Sequence, residues 1–189
     1  MTHAAVGDDG QARCPWALST PDYVAYHDDE WGRPVHGDTA LFERFTLEAF
    51  QSGLSWLTIL RKRPAFRVAF SGFDPALVAA YGPGDVTRLL GDAGIVRNRA
   101  KIDAAIANAA AVVGLGPGGL DDLVWSHAPP GDAPAPVTTA DVPAVTAAST
   151  ALAKDLKRHG FRFVGPTTAY AAMQACGLVN DHLAACSVR

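Results

Sequence analysis

Apolar residues spaced at helix periodicity are the feature that most constrains how this sequence can fold. Segments in which apolar residues recur every three or four positions far outnumber segments with strict alternation, and Gly and Ala dominate the breaks between them. The chain has 189 residues, of which 49% are hydrophobic and 19% charged, so it has enough apolar material for one core. We therefore expect an all-α fold in a single domain.

Capping residues indicate where the first helices begin. Thr20 followed by Pro21 predicts a helix that runs to about Trp31, and Asp38 is expected to cap the next one. One stripe of that second helix consists of Leu41, Phe42, Phe45, Glu48, Ala49 and Ser52. Because Glu48 lies on a mostly apolar stripe, its carboxyl group is expected to point inward.

The rest of the chain repeats these signals. Further helices are predicted to start at Asp74 and near Asp85, and others to cover about 98–113, 149–159 and 166–177. The Pro-rich segment 127–136 is expected to be a surface loop. Residues 1–13 are expected to form a flexible leader and 187–189 a short tail.

Composition limits the location and partners of the chain. No run approaches the ~18 apolar residues of a membrane span, and the first residues lack the apolar core of a signal peptide, so we expect a cytoplasmic protein without a membrane partner. Three widely spaced cysteines argue against a disulfide framework. A net charge of -3 gives no general electrostatic case for nucleic acid, although basic residues cluster locally, as at 61–67 and 97–101.

Two His/Cys pairs near opposite ends of the chain form a candidate metal site. His182 and Cys186 are four residues apart, which places them on one face of a helix or in a tight turn, and Cys14 with His27 supplies a second pair. Together they would complete a closed Cys2His2 site that holds one structural Zn²⁺ and joins the termini. The alternative from spacing alone is two buried thiols and two ordinary histidines, because the long gap matches no standard zinc finger.

Residues 89–102 have the pattern of two helices joined by a Gly-containing turn. The backbone amides of Gly94, Ile95 and Val96, with the positive end of the following helix, would hold a phosphate oxygen without many basic side chains. An ordinary helix-turn-helix corner fits the same residues.

Aromatic residues crowd the first third of the chain, at Trp16, Tyr23, Tyr26, Trp31 and Trp56. Aromatic residues at helical spacing are usually part of a core. Trp and Tyr nevertheless each carry a polar group that needs a partner, and the inward Glu48 lies nearby in sequence. A flat, electron-rich pocket with one carboxylate would suit a cationic aromatic ring, by stacking and by a cation-π contribution.

Four blocks, 13–32, 47–60, 89–102 and 161–186, resemble the 3-methyladenine DNA glycosylase I (Tag) family of the helix-hairpin-helix glycosylase superfamily. The stretches YHDDEWG, SGLSW and GLVNDH are the most specific, and the resemblance spans about residues 13–186. It implies a helix-hairpin-helix glycosylase-like fold over one domain, 14–186. In that domain the termini 14–31 and 180–186 would be linked by zinc, and 89–102 would be the hairpin.

The resemblance also implies roles for individual residues. Cys14, His27, His182 and Cys186 look like the family's structural zinc ligands. Glu48 matches its pocket carboxylate, Trp56 the ring that stacks on the base, Tyr26 a pocket phenol, and Trp16 and Trp31 the rest of the aromatic wall. Gly53 and Leu54 match the segment that approaches the gap left by an extruded nucleotide, and Gly94, Ile95 and Val96 the phosphate anchor.

The function that the resemblance implies is excision of 3-methyladenine from double-stranded DNA by a monomeric, monofunctional DNA glycosylase. Methylation at N3 makes adenine cationic, so the base leaves without a strong acid. Two alternatives remain at this stage: a zinc-stapled lesion-binding module without catalysis, and a zinc hydrolase with an open metal position. This sequence departs from the family at Ala49 and Phe50, which follow the carboxylate. It also has an additional leader and a short end after Cys186.

Overall fold

The computed structural model describes residues 2–131 and 134–189. Within these residues the fold is predominantly helical, which confirms the expected fold class. The α-helices are α1 Pro21–Asp29, α2 Asp38–Gln51, α3 Trp56–Ala69, α4 Pro75–Ala79, α5 Pro83–Gly91, α6 Arg99–Leu115, α7 Gly119–Trp125, α8 Ala147–Arg158 and α9 Pro166–Ala175. Short 3-10 helices cover Pro15–Ser19 and Ser71–Phe73, and the strands β1 Ala5–Val6 and β2 Ala12–Arg13 pair antiparallel.

Side-chain caps start several helices where the sequence predicts them. Thr20 Oγ1 accepts from the Tyr23 amide at 3.3 Å, which begins α1. Asn98 Oδ1 accepts from the Lys101 amide at 3.1 Å, which begins α6. Such a cap satisfies a backbone donor that has no partner inside the helix. The local sequence therefore determines where these helices begin.

Asp38 has a different role from the predicted one. The N-cap of α2 is Gly37, and the Asp38 carboxylate instead accepts from three amides at the start of α7. These donors are Gly118 at 2.8 Å, Leu120 at 3.1 Å and Asp121 at 3.0 Å. Sequence patterns did not predict α7, because the residue that caps it is about 80 positions away. They also did not predict α3, which has Pro64 in its interior.

The first residues form a structure of their own, which differs from the expected flexible leader. β1 and β2 form a hairpin, and Arg13 at its end is only 5% exposed. The guanidinium donates to the carboxylates of Asp9 and Asp28, so its buried charge is compensated. The tail is attached to the same hairpin, because the Ser187 amide donates to the Ala12 carbonyl at 2.8 Å. Met1 lies outside the described residues.

The main core lies between α2, α3, α4, α6, α8 and α9. On the α3 side, Phe50, Phe66, Phe70 and Phe73 form a chain of edge-on and stacked rings with centroids 4.9 to 6.0 Å apart. A second, small cluster contains Cys14, Leu183 and Cys186. The second half of α2 is buried on most of its circumference, and Glu48 is its buried acidic residue, on the wall of the cavity described below.

Helices α5 and α6, with the turn 92–98 between them, form a helical hairpin. Within the described part of the chain, no single helix is both long and apolar enough to cross a membrane. Among the described helices, only α6 and α7 taken together reach that length and composition, and the chain bends by 96° between them. The Pro-rich loop was predicted over 127–136. Its described residues carry no regular helix or strand, and 132–133 lie outside the described residues.

Candidate active site

A cavity of about 400 Å³ opens among the Pro15–Ser19 turn, α1, α2, α9 and the start of α3. Pockets of roughly 300–1,000 Å³ commonly enclose small organic ligands. The structure brings the predicted pocket residues together on its wall, namely Trp16, Tyr26, Trp31, Glu48 and Trp56. The rest of the wall is formed by Cys14, Tyr23, Gln51, Thr139, Val142, Ala171, Gln174, Asp181 and Leu183.

Glu48 is the buried carboxyl group of this cavity. Its side chain lies on α2 and is 7% exposed, and burial raises its pKa to about 8, against the opposing charge of Arg44. Arg44, one turn earlier, donates to Glu30 instead, at 2.9 Å. Glu48 is therefore poised between its neutral and charged forms, and a cation in the cavity would favour the carboxylate.

Two arginines bind Glu30, the residue after α1. Arg63 donates both of its terminal nitrogens to the two Glu30 oxygens, at 2.6 and 2.7 Å, and Arg44 adds a third bond. These guanidinium groups lower the pKa of Glu30 to about 2. Because Arg44 is bound by Glu30, Glu48 forms no salt bridge with any described residue, and its carboxyl group lines the cavity.

Aromatic rings form most of the wall around Glu48. Trp56 and Tyr26 have centroids 5.4 Å apart, and Trp16 meets Trp31 edge-on at 5.2 Å. Burial raises the pKa of the Tyr26 phenol above its ordinary value, so the group stays neutral. Trp56 Nε1 is buried, and no described residue accepts its hydrogen bond. The wall thus offers ring faces suited to a flat aromatic ligand.

The start of α3 positions Trp56. Ser55 caps the helix by accepting from the Thr58 amide at 3.2 Å, and the Tyr23 hydroxyl accepts from the Leu57 amide at 2.9 Å. These bonds satisfy amides of the first turn. Trp56 is the first residue of α3, so the same bonds hold its ring against the cavity.

A second carboxylate, Asp181, lies on the cavity wall and was not predicted. It accepts from the Tyr170 hydroxyl at 2.5 Å and from Gln174 Nε2 at 2.8 Å. The signal that could have identified it is its place in the GLVNDH block, directly before His182. Thr139, which follows the Pro-rich segment, gave no signal, because only the tertiary structure brings it to the cavity.

The four predicted metal ligands form one buried cluster. One donor atom from each of Cys14, His27, His182 and Cys186 lies within 4.8 Å of the other three. His27 Nε2 is 3.2 Å from His182 Nδ1, and Cys186 Sγ is 3.5 Å from His27 Nε2 and 3.6 Å from His182 Nδ1. Such separations suit donors about 2.0 to 2.3 Å from a shared tetrahedral centre. The cluster could therefore hold a metal ion.

The outer atoms of the cluster also fit a metal centre. His27 Nδ1 is 2.7 Å from the Asp28 carboxylate, and His182 Nε2 is 3.1 Å from the Trp31 carbonyl, so the inner nitrogens are left for an ion. Burial lowers the pKa of His27 and lowers that of His182 to about 4, which favours the neutral rings that bind metals. All four donors come from the protein, which is the pattern of a structural site.

The predicted DNA-facing residues lie in two segments. Gly53 and Leu54 belong to the rim turn, residues 51–55, which joins the cavity residues Gln51 and Trp56. Gly53 has a positive φ of 81°, and Leu54 at the tip is 42% exposed. The rim turn therefore projects a partly exposed apolar side chain beside the cavity mouth.

In the other segment, the turn of the α5–α6 hairpin, two of the three amides predicted to bind phosphate already have acceptors within the protein. The Gly94 amide donates to Asp92 Oδ1 at 2.7 Å and the Ile95 amide to the Asp92 carbonyl at 3.4 Å, so both already have partners. Lys62 further ties the turn by donating to the Ala93 carbonyl at 2.8 Å. Val96 has no such amide bond to any described residue.

Comparison with known proteins gives the same fold and the same family. A crystal structure of 3-methyladenine DNA glycosylase I matches with a TM-score of 0.88 and 47% identity, over 93% of this chain and 98% of that one. A structure that addresses 3-methyladenine recognition by the Staphylococcus aureus enzyme matches with a TM-score of 0.86 and 35% identity, over 93% and 95%. Among curated proteins, DNA-3-methyladenine glycosylase 1 of Escherichia coli is 49% identical over 179 residues, 92% of this chain and 95% of that protein. The DNA-3-methyladenine glycosylase of Haemophilus influenzae is 43% identical over 180 residues, 92% and 96%.

The helical fold and the aromatic cavity with its buried carboxyl group thus define a DNA glycosylase. More particularly, the family model of methyladenine glycosylases matches residues 16–189, and the chain belongs to that family.

Proposed function

We propose that this chain excises 3-methyladenine from double-stranded DNA by extruding the damaged nucleotide into the cavity and hydrolysing its N-glycosidic bond. The observation that carries the proposal is Glu48, a buried carboxyl group that pairs with no cation among the described residues and lies in a cavity walled by aromatic rings. Relatives named DNA-3-methyladenine glycosylase, 49% and 43% identical over nearly the whole chain, support the choice of base.

Recognition in this mechanism relies on charge and shape. Trp56 stacks on the extruded base, which contributes about 1–3 kcal/mol, and a cationic ring adds about 0.5–2 kcal/mol on the aromatic faces. Glu48 accepts a hydrogen bond from the exocyclic amine. An undamaged adenine is neutral, so it does not compensate the cost of ionising Glu48 and binds more weakly.

Bond cleavage then requires little acid catalysis. The methylated base leaves as a neutral molecule, while positive charge moves to the sugar as it becomes oxocarbenium-like. The Glu48 carboxylate stabilises that charge electrostatically as water attacks. Extrusion costs a few kcal/mol, and less for a lesion than for a sound base pair.

We further propose that DNA contacts the rim turn and the α5–α6 hairpin. Leu54 enters the gap left by the nucleotide. The hairpin, which we interpret as a helix-hairpin-helix element, approaches the phosphate backbone through Val96 and the N-terminus of α6. The monomer is the proposed acting species, in the cytoplasm.

We infer that the Cys14, His27, His182 and Cys186 cluster holds one Zn²⁺, because two thiolates and two imidazoles in tetrahedral reach suit that ion. With all four positions taken by protein, the ion supplies structural stability and activates no water. A hydrolase with an open zinc position would have three protein ligands and a water, which metal-edge spectroscopy would detect.

The first test is release of free base from methylated DNA by the wild-type protein and by Glu48→Gln and Trp56→Ala variants, with metal content confirmed in each. We expect release of 3-methyladenine by the wild type, a loss of about 10²- to 10³-fold without the carboxylate, and a loss of about 5- to 150-fold without the stacking ring.

Glu43→Gln is the matched control, since Glu43 lies on the same helix but pairs with Arg67 outside the cavity. Binding of lesion DNA without any base release by folded, metal-loaded wild type would leave the lesion-binding module as the function. A borohydride-trapped adduct with abasic DNA would contradict the monofunctional mechanism.

A further inference from the structure

Lys101 is a buried lysine that connects the two proposed DNA-facing segments. It is the third residue of α6, in the second helix of the hairpin, and is only 9% exposed. Its Nζ donates to the Phe50 carbonyl at 3.0 Å and to the Ser52 carbonyl at 2.6 Å. The sequence suggests a basic, solvent-facing helix surface here, and the structure instead directs this side chain into the protein.

The Phe50 carbonyl lies in the last turn of α2, and the Ser52 carbonyl belongs to the residue that follows the helix. The last four carbonyls of a helix have no partner inside it, and a cation near the C-terminus interacts favourably with the helix dipole. The Lys101 ammonium satisfies carbonyls on both sides of Gln51, where α2 ends and the rim turn begins. The bonds therefore determine where the chain leaves α2.

The rim turn has few internal constraints. Its own backbone bond runs from the Leu54 amide to the Gln51 carbonyl at 2.6 Å, and Gly53 lies in the left-handed region with open space around it. Leu54 at the tip is half exposed. The Lys101 bonds thus join the start of this turn to a rigid helix on the other DNA-facing segment.

We propose that Lys101 is a positioning residue that holds the rim turn against the α5–α6 hairpin, so that Leu54 and the hairpin meet DNA as one rigid surface. This inference rests on the proposed function, which assigns DNA to both segments. Lys101 does not line the cavity, and its amine is engaged by two carbonyls, so it acts through the rim turn and not on the base.

A positioning role for Lys101 predicts different effects on binding of the free base and on excision from DNA. Free 3-methyladenine needs only the cavity, whereas excision from DNA also needs the rim turn. We expect Lys101→Met to lower kcat/KM on methylated DNA by about ten- to a hundredfold, because a small misplacement of the rim turn has an effect of this size. Affinity for an oligonucleotide with a tetrahydrofuran abasic site should fall by about the same factor. Affinity for free 3-methyladenine, followed by tryptophan fluorescence, should stay unchanged. Amide hydrogen exchange should accelerate in residues 51–56.

Lys154→Met is the matched control, because Lys154 is exposed on α8 and the same charge is lost. Lys101→Gln keeps a donor for one carbonyl, so its activity on DNA should lie between those of the wild type and Lys101→Met. If Lys101→Met does not fold, the activity of Lys101→Gln tests the proposal. Wild-type activity on DNA in either variant would overturn the proposal, and so would equal losses for DNA and free base. Absence of base release by the wild type would instead refute the proposed function.

Discussion

At the residue scale, Glu48 shows how the environment determines the chemistry of a side chain. Arg44 lies one turn earlier on α2 but binds Glu30, so burial dominates and the pKa of Glu48 rises to about 8. A carboxyl group in such surroundings binds a cationic ligand better than a neutral one, since the ligand supplies the missing positive charge. This is the selectivity that a methylated base requires.

The raised pKa of Glu48 predicts that protein stability depends on pH. Between its ordinary value of 4.5 and about 8, the folded protein holds a proton on Glu48 that the unfolded chain has released. Glu48 therefore destabilises the folded protein increasingly as pH rises through this window, with about 1.4 kcal/mol for each pKa unit. We expect Glu48→Gln to be more stable than wild type near pH 8, by an amount on the order of a few kcal/mol.

Urea unfolding of both metal-loaded proteins between pH 5 and pH 8 would measure this effect. The difference between the two proteins isolates Glu48, because all other titratable groups are common to both. Unfolding free energies that change in parallel over this range would contradict the raised pKa.

At the element scale, long-range caps are as important as local ones. Helix α7 has only seven residues and begins at Gly119 after Gly118, neither of which offers a side chain to cap it. The Asp38 carboxylate supplies that cap from the first turn of α2, where it also interacts favourably with the dipole of its own helix. One residue thus joins the beginnings of two helices.

We expect Asp38→Ala to lower the free energy of unfolding by about 1–2 kcal/mol, because amides at the start of α7 lose their acceptor. Urea denaturation would measure the change. Asp38→Asn keeps an acceptor, so its free energy of unfolding should fall by less. Asp103→Ala, at an exposed position of α6, should change the free energy of unfolding little. A loss for Asp103→Ala as large as that for Asp38→Ala would argue against the capping role.

At the scale of the whole molecule, the Cys/His cluster joins parts of the chain that are distant in sequence. Cys14 and His27 meet His182 and Cys186, and the hairpin of residues 5–13 packs on the same region through Arg13 and Ser187. Arg13 also holds Asp28, whose carboxylate orients His27. The N-terminal hairpin is thereby linked to the cluster through side chains, although it supplies no ligand.

We expect Asp28→Asn to weaken metal retention by about 10- to 100-fold, because the carboxylate that fixes the His27 ring and raises its basicity is lost. The rate of metal release to a chelating dye would measure this. Asp29→Asn is the matched control, since the neighbouring Asp29 is exposed. Equal release rates for both variants would show that Asp28 does not support the site.

The sequence by itself determined the helical class, the starts of α1, α4, α6 and α9, and the inward position of Glu48. These features depend on interactions within a few residues: side-chain caps, Pro at the first helical position, and apolar periodicity. Family motifs then identified a set of pocket and metal residues that the structure brings together.

Only the tertiary structure decided the features that depend on residues distant in sequence. The cap of α7 by Asp38, the bonds that attach the N-terminal hairpin to Asp28 and Ser187, and the places of Thr139 and Asp181 on the cavity wall belong to this group. Lys101 is the clearest case, because its position in a basic run favours solvent. Unsatisfied carbonyls about 50 residues earlier instead bind it inside the protein.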